Sequence, residues 1–115
     1  YSYNGSKKHS KITEIVNILN KQNYNHRYVG SLVGDVHRTL LNGGIFMYPE
    51  TSTNKNGKLR LLYEGYPMSY IINKAGGFSS NGSIDILDIP FPDDIHKRTP
   101  LYLSSKQEME IINTI

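Results

Sequence analysis

The stretch Gly43-Gly44-Ile45-Phe46-Met47-Tyr48-Pro49 contains the change of pattern that decides the fold. Two consecutive glycines are typical of the end of a helix. The four apolar residues after them predict a short buried strand, which Pro49 stops because proline cannot donate to a strand ladder. Upstream, apolar residues recur at helical spacing: Leu32, Val33, Val36 and Leu40. An amphipathic helix therefore leads directly into a buried strand, as in layered α/β proteins.

The segments before and after this stretch continue the alternation of helices and strands. Ser10 is a helix-cap residue, and the apolar residues after it share one helical face: Ile12, Ile15, Val16 and Leu19. Residues 20–26 predict a loop. Residues 59–75 predict a helix on both sides of Pro67, which should break or kink it.

Strands are predicted at 78–80 and 100–103. A last helix begins with a capping box formed by Ser105 and Glu108, and its apolar face contains Met109, Ile112 and Ile115. These patterns predict a layered lobe of the α/β or α+β class, and of the two we expect α/β, with a mixed β-sheet flanked by helices.

Composition excludes several kinds of function. The 115-residue chain has no cysteine, which excludes disulfides, thiolate metal sites and cysteine nucleophiles within it. No apolar run approaches the ~20 residues needed to cross a bilayer, and residues 1–5 lack a signal-peptide pattern. The net charge of +3 is spread over scattered basic residues, which favours capture of small anions over nucleic-acid binding. We expect a cytoplasmic protein that binds neither nucleic acid nor membrane and, without an initiator Met, is processed or a fragment.

The stretch from Asn56 to Glu64 is the most informative about chemistry. Gly57 permits close backbone approach beside Lys58, a combination common where a phosphate must be reached. Lys58 and Arg60 fall at a predicted loop-to-helix junction, where free N–H groups favour anions. Glu64 follows Arg60 by four residues. Two interpretations stay open: an exposed Arg60–Glu64 ion pair, or a carboxylate among apolar neighbours that needs a cation, a metal or a proton.

A second stretch, from Arg27 to Arg38, also places donors at the start of a helix. Arg27 and Tyr28 precede the predicted first turn at Gly30. Asp35 and His37 are two residues apart and so do not face each other on a helix, which argues against a metal pair and favours a structural role for His37. No nucleophile elbow or Walker-type loop is present.

Together these stretches resemble the C-terminal part of fructose-1,6-bisphosphatase. The resemblance rests on five strings: Arg27-Tyr-Val-Gly-Ser-Leu-Val, Asp35-Val-His-Arg-Thr-Leu, Gly43-Gly-Ile-Phe-Met-Tyr-Pro, Gly57-Lys-Leu-Arg-Leu-Leu-Tyr-Glu and Lys74-Ala-Gly-Gly. It implies that residues 1–115 are the substrate-binding lobe, the C-terminal half of the sugar phosphatase fold. The implied enzyme is a magnesium-dependent homotetramer of gluconeogenesis that hydrolyses fructose 1,6-bisphosphate to fructose 6-phosphate and phosphate.

The resemblance also implies roles for individual residues. Those implied at the 6-phosphate are Asn4, Tyr28, Tyr48 and Lys58. Arg27 matches an arginine that reaches into a neighbouring subunit's site, and Leu32 a position that contacts the sugar through its backbone. Glu64 matches a metal ligand, and Arg60 lies near the phosphate to be removed, which makes these two the catalytic candidates.

The implied cofactor is Mg²⁺, with Mn²⁺ or Zn²⁺ as alternatives. Glu64 alone cannot hold a magnesium cluster, because Mg²⁺ takes about six oxygen ligands. The family's Asp-Pro-x-Asp-Gly metal motif is absent from these residues and belongs, like the AMP regulatory site, to the family's N-terminal half. Two alternatives remain for the function: a sedoheptulose bisphosphatase, and a non-catalytic sugar-phosphate-binding module.

Overall fold

The computed structural model describes residues 1–3, 10–51 and 55–113. Its helices are α1 (Ser10–Lys21), α2 (Leu32–Asn42), α3 (Tyr66–Lys74) and α4 (Lys106–Asn113), with a π-helical turn at Leu61–Gly65 and a 3-10 turn at Ile86–Asp88. Its strands are β1 (Ile45–Tyr48), β2 (Leu59–Arg60), β3 (Phe78–Ser80), β4 (Arg98–Thr99) and β5 (Leu101–Ser104). Each helix in these ranges falls short of the length and apolar character that a membrane span requires.

The main sheet has the strand order β1-β5-β3, and both pairings are antiparallel. Ser2 adds a parallel bridge to Phe46, so the sheet is mixed as predicted. Side chains alternate across a strand, and the two faces therefore have separate cores. Ile45, Met47 and Tyr102 pack with α1 and α4 on one face, whereas Phe46, Leu101 and Leu103 pack with α2, α3 and the π-helical turn on the other. The predicted α/β lobe is confirmed.

The N-terminus of α4 is tied to the loop after α1 through a buried carboxylate. The Tyr24 hydroxyl donates to Glu108 Oε1 at 2.6 Å, and the Ser105 hydroxyl donates to Glu108 Oε2. The Met109 N–H donates to the Ser105 carbonyl oxygen, and α4 begins directly after Ser105 as predicted. The predicted capping box is wrong in its hydrogen bonds, because the Ser105 N–H donates to the Gly44 carbonyl oxygen and not to the Glu108 side chain. Burial and the hydrogen bond to Glu108 raise the pKa of Tyr24 to about 12. Ile115 lies outside the described residues.

The prediction of one helix over 59–75 is wrong in its first half. β2 pairs with β4 in a separate two-stranded antiparallel sheet, and the Leu61 N–H donates to the Lys97 carbonyl oxygen at 2.8 Å. A π-helical turn follows and leads into α3. Pro67 neither breaks nor kinks a helix, because it lies in the first turn of α3, where a missing backbone N–H costs nothing.

Candidate sugar-phosphate site

A cavity of about 320 Å³ lies between the start of α2, the end of β1 and the π-helical turn. It is lined by Tyr28, Gly30, Leu32, Asp35, Phe46, Tyr48, Lys58, Leu59 and Glu64. Five of these residues were singled out from the sequence: Tyr28, Leu32, Tyr48, Lys58 and Glu64. A larger cavity of about 850 Å³ borders the segment 89–100, and it is lined by none of the predicted site residues.

Two phenol hydroxyls and one ammonium group give this cavity its hydrogen-bond donors. Hydroxyls can donate to anion oxygens, and the ammonium adds net positive charge. Burial, together with the nearby Tyr48 and Asp35, raises the pKa of the Tyr28 hydroxyl above its ordinary value of 10.0. Tyr28 therefore keeps its proton at neutral pH and remains a donor. Phe46 contributes a fully buried apolar surface.

Gly57 determines where Lys58 enters the cavity. Its φ is +79°, and a Cβ built there would lie 2.4 Å from the Thr99 carbonyl oxygen. The segment before β2 thus passes directly against the backbone between β4 and β5. The sequence predicted a close approach here toward a phosphate, but the structure shows it toward Thr99 and Pro100. Lys58 follows at once and is exposed.

Glu64 is held by the backbone. Its Oε1 accepts from the Arg60 N–H at 2.9 Å, because the π-helical turn folds residue 64 back toward the end of β2. The predicted helical Arg60–Glu64 ion pair is wrong: Arg60 lies in a strand, and the structure records no ion pair between them. The Arg60 Nε is buried without a hydrogen-bond partner. Arg60 is not among the residues that line the cavity.

A metal ion fits these residues only in part. Glu64 retains lone pairs beyond the one that Arg60 uses, so it can serve as one metal ligand. Among residues 1–3, 10–51 and 55–113, no group of three or more His, Asp or Glu side chains is placed to hold a metal ion. A site with three or more carboxylate or histidine ligands would therefore need residues beyond these ranges.

Arg27 is not part of the same cavity. It is exposed and borders a separate cavity of about 270 Å³, together with Asn25 and Arg38. Asn4 lies outside the described residues, and the structure provides no test of its implied phosphate contact. His37 is exposed on α2 and lines none of the cavities described above.

Asp35 is a charged cavity residue to which sequence reasoning gave no role in the site. Its side chain is 1% exposed and accepts from the Val29 N–H at 3.0 Å, the Gly30 N–H at 3.1 Å and the Arg38 guanidinium at 2.8 Å. Burial alone raises the pKa of Asp35, but these hydrogen bonds outweigh it and hold the pKa below 3.8. The available signal was the i,i+3 spacing of Asp35 and Arg38.

Comparison with known proteins matches the whole chain to one family. The family described as "Fructose-1-6-bisphosphatase, C-terminal domain" matches residues 1–115. The chain belongs to the fructose-1,6-bisphosphatase family. The resemblance inferred from the five sequence strings is thereby confirmed.

Individual fructose-1,6-bisphosphatases agree with this assignment. The class 1 enzyme of Persephonella marina is 48% identical over an alignment of 114 residues that covers 96% of this chain and 35% of that protein. The chloroplastic enzyme of Brassica napus is 60% identical over 87 residues, which are 76% of this chain and 21% of that protein. The crystal structure of Leishmania major fructose-1,6-bisphosphatase in holo form matches with a TM-score of 0.91 and 41% identity, covering 99% of this chain and 37% of that one. The chain thus spans about a third of the length of these relatives or less. The cytoplasmic location expected from the sequence stays a prediction.

Proposed function

We propose that this chain is the sugar-phosphate-holding part of a fructose-1,6-bisphosphatase, the gluconeogenic enzyme that hydrolyses fructose 1,6-bisphosphate to fructose 6-phosphate and phosphate. One observation carries the proposal. Five implied site residues, which come from four separate segments of the sequence, meet on one cavity of about 320 Å³. Chance would not bring together the residues of one implied site from the start of α2 and the loop before it, the end of β1, the segment before β2 and the π-helical turn.

Within this proposal the 6-phosphate lies between Tyr28, Tyr48 and Lys58. The two hydroxyls orient its oxygens, and Lys58 supplies the opposite charge. Leu32 contacts the sugar through the backbone of the first turn of α2. A charged ligand gains most from such donors where apolar walls such as Phe46 exclude water.

The phosphate to be removed lies toward Glu64 and Arg60. Bound Mg²⁺, or Mn²⁺ or Zn²⁺ in its place, would stabilise phosphate charge and activate a water molecule. Glu64 is the ligand that this chain offers, already oriented by the Arg60 N–H. The unpartnered Arg60 Nε retains a donor for an anion. Arg27 is exposed and outside its own chain's cavity, which suits a contact with a neighbouring subunit of a homotetramer.

Titration of the chain with fructose 6-phosphate, followed by backbone amide NMR, tests the binding step. We expect the largest shifts at Tyr28, Tyr48 and Lys58. Lys58→Ala should weaken binding by about 1.5–3 kcal/mol, the usual contribution of a charged hydrogen bond. The matched control is Lys106→Ala, which removes an exposed lysine of α4 and should leave the affinity unchanged.

The possible outcomes separate the proposal from its alternatives. Unchanged affinity in Lys58→Ala, or shifts centred on the cavity at 89–100, would refute the phosphate assignment. Tighter binding of sedoheptulose 7-phosphate than of fructose 6-phosphate would favour the other bisphosphatase. Binding without any metal-dependent turnover when the chain is part of a complete protein would favour a non-catalytic module.

A further inference from the structure

The Asp35 carboxylate organises the loop that carries Tyr28. It accepts two backbone hydrogen bonds, from Val29 and Gly30, and one from the Arg38 guanidinium. The same Arg38 nitrogen donates to the Arg27 carbonyl oxygen at 2.8 Å. One ion pair, with Asp35 nearly fully buried, therefore contacts three of the four residues from Arg27 to Gly30.

Apolar packing does little to hold this loop. Val29 is 69% exposed, and Gly30 has a φ of +90° that turns the chain toward α2. The Arg27 N–H also donates to the Tyr1 carbonyl oxygen at 2.9 Å, which fixes only the far end of the loop. Because an exposed loop without packed side chains samples many conformations, the orientation of Tyr28 depends on the hydrogen bonds to Asp35.

The charge of Asp35 is consistent with a role beside a bound anion. A free carboxylate lining the same cavity as Tyr28 and Lys58 would repel a phosphate. Here Arg38 neutralises the carboxylate at 2.8 Å, and both carboxylate oxygens already accept hydrogen bonds from the loop. Arg38 itself borders the neighbouring cavity on which Arg27 lies. The Asp35–Arg38 ion pair thus connects Asp35, which lines the substrate cavity, with Arg27, whose carbonyl oxygen accepts from Arg38.

We propose that Asp35, oriented by Arg38, is a positioning residue for sugar-phosphate binding: it fixes residues 27–30 so that the Tyr28 hydroxyl faces the cavity. This inference rests on the proposed function. Asp35 does not touch the ligand in this arrangement and acts through Tyr28. Loss of the carboxylate should therefore cost affinity only as long as the Tyr28 hydroxyl is present.

A double-mutant cycle on fructose 6-phosphate affinity tests this dependence. The cycle uses Asp35→Asn, Tyr28→Phe and the double variant, measured by calorimetric titration of the chain. Asp35→Asn should raise Kd by about tenfold, as expected for loss of charged hydrogen bonds. In the Tyr28→Phe background the same change should have almost no effect. In a Lys58→Ala background its full effect should remain, because Lys58 is held by a different segment.

The controls separate positioning from general stability. Glu14→Gln changes an exposed carboxylate of α1 in the same way and should leave Kd unchanged. A merely structural Asp35 would weaken binding by the same factor in the wild-type and Tyr28→Phe backgrounds, and that result overturns the inference. If Asp35→Asn does not fold, Arg38→Gln replaces it in the cycle, and unchanged affinity in that variant overturns the inference too. No fructose 6-phosphate binding by the wild-type chain would instead refute the proposed function and, with it, this inference.

Discussion

Replacing Gly57 with alanine should destabilise the fold far more than a glycine-to-alanine change usually does. The added Cβ would lie 2.4 Å from the Thr99 carbonyl oxygen and 2.5 Å from the Pro100 nitrogen, whereas a carbon rests about 3.3 Å or more from an oxygen. Both neighbours are backbone atoms, so no side-chain rotation relieves the overlap. Either β4 or the segment before β2 must move.

Two costs and one smaller offset determine how much stability Gly57→Ala loses. The φ of +79° costs alanine about 1–2 kcal/mol, because its Cβ crowds the following carbonyl in the left-handed region. Forcing a methyl group into occupied space costs roughly 1–3 kcal/mol more. Alanine also restricts the unfolded chain, which offsets about 0.4–1 kcal/mol. We therefore expect a net loss of roughly 1–5 kcal/mol in the free energy of unfolding.

Urea denaturation of Gly57→Ala and Gly76→Ala measures the two costs separately. Gly76 has a φ of +90°, and nothing lies within 4 Å of a Cβ built there, so its alanine variant carries only the backbone cost. Gly57→Ala should be less stable than Gly76→Ala by roughly 1–3 kcal/mol, and it alone should weaken fructose 6-phosphate binding, since Lys58 is displaced. Equal destabilisation of the two variants would refute the close approach at Thr99.

Three further predictions concern individual side chains. Tyr24→Phe should lower the free energy of unfolding by about 1.5–3 kcal/mol, because the buried Glu108 loses a hydrogen bond; urea denaturation measures this, and Tyr70→Phe, which removes an exposed hydroxyl, should have little effect. The pKa of Asp35 is lower in the folded chain than its ordinary 3.8, so the ionised carboxylate stabilises the fold fully above pH 3.8, and this stabilisation is lost as the pH falls through the pKa of the folded chain. The free energy of unfolding, measured against pH, should therefore fall less steeply in acid for Asp35→Asn than for the wild type. An identical acid dependence of the two proteins would contradict the assignment. In a complete enzyme Glu64→Gln should reduce metal-dependent kcat with a smaller change in sugar-phosphate affinity, because an amide keeps the backbone hydrogen bond but is a weaker metal ligand; steady-state kinetics over a magnesium series decides this, and a change confined to KM would argue against a metal role.

The sequence predicted those elements whose signals are local. The two glycines and Pro49 bracket β1, and the apolar spacing after Ser31 defines α2, as the structure confirms. The error at 59–65 has a non-local cause. Leu59 and Arg60 pair with residues about 40 positions later in the chain, and no pattern within 59–65 records that pairing. Tertiary contacts therefore override the helical spacing there.

The candidate site was likewise predicted only in part. Five of the residues implied by family resemblance, among them Tyr28, Tyr48 and Lys58, meet on one cavity, whereas Arg27 and Arg60 do not line it. Asp35 was not predicted because its partners are backbone N–H groups of a loop, which a sequence does not display. The helical periodicity of α2 identified the apolar face but gave no reason to bury a carboxylate beside Val36.

The π-helical turn amounts to a one-residue insertion at the entrance of α3. The Tyr66 N–H donates to the Leu61 carbonyl oxygen, one residue further back than in an α-helix, and such turns often lie at functional sites. Deleting a single residue between 61 and 65 would restore the ordinary helical repeat without disturbing α3, but it would rotate Glu64 away from the Arg60 N–H. A lineage could therefore lose the proposed metal ligand and keep α3 through one in-frame codon deletion, visible in an alignment as a single gap.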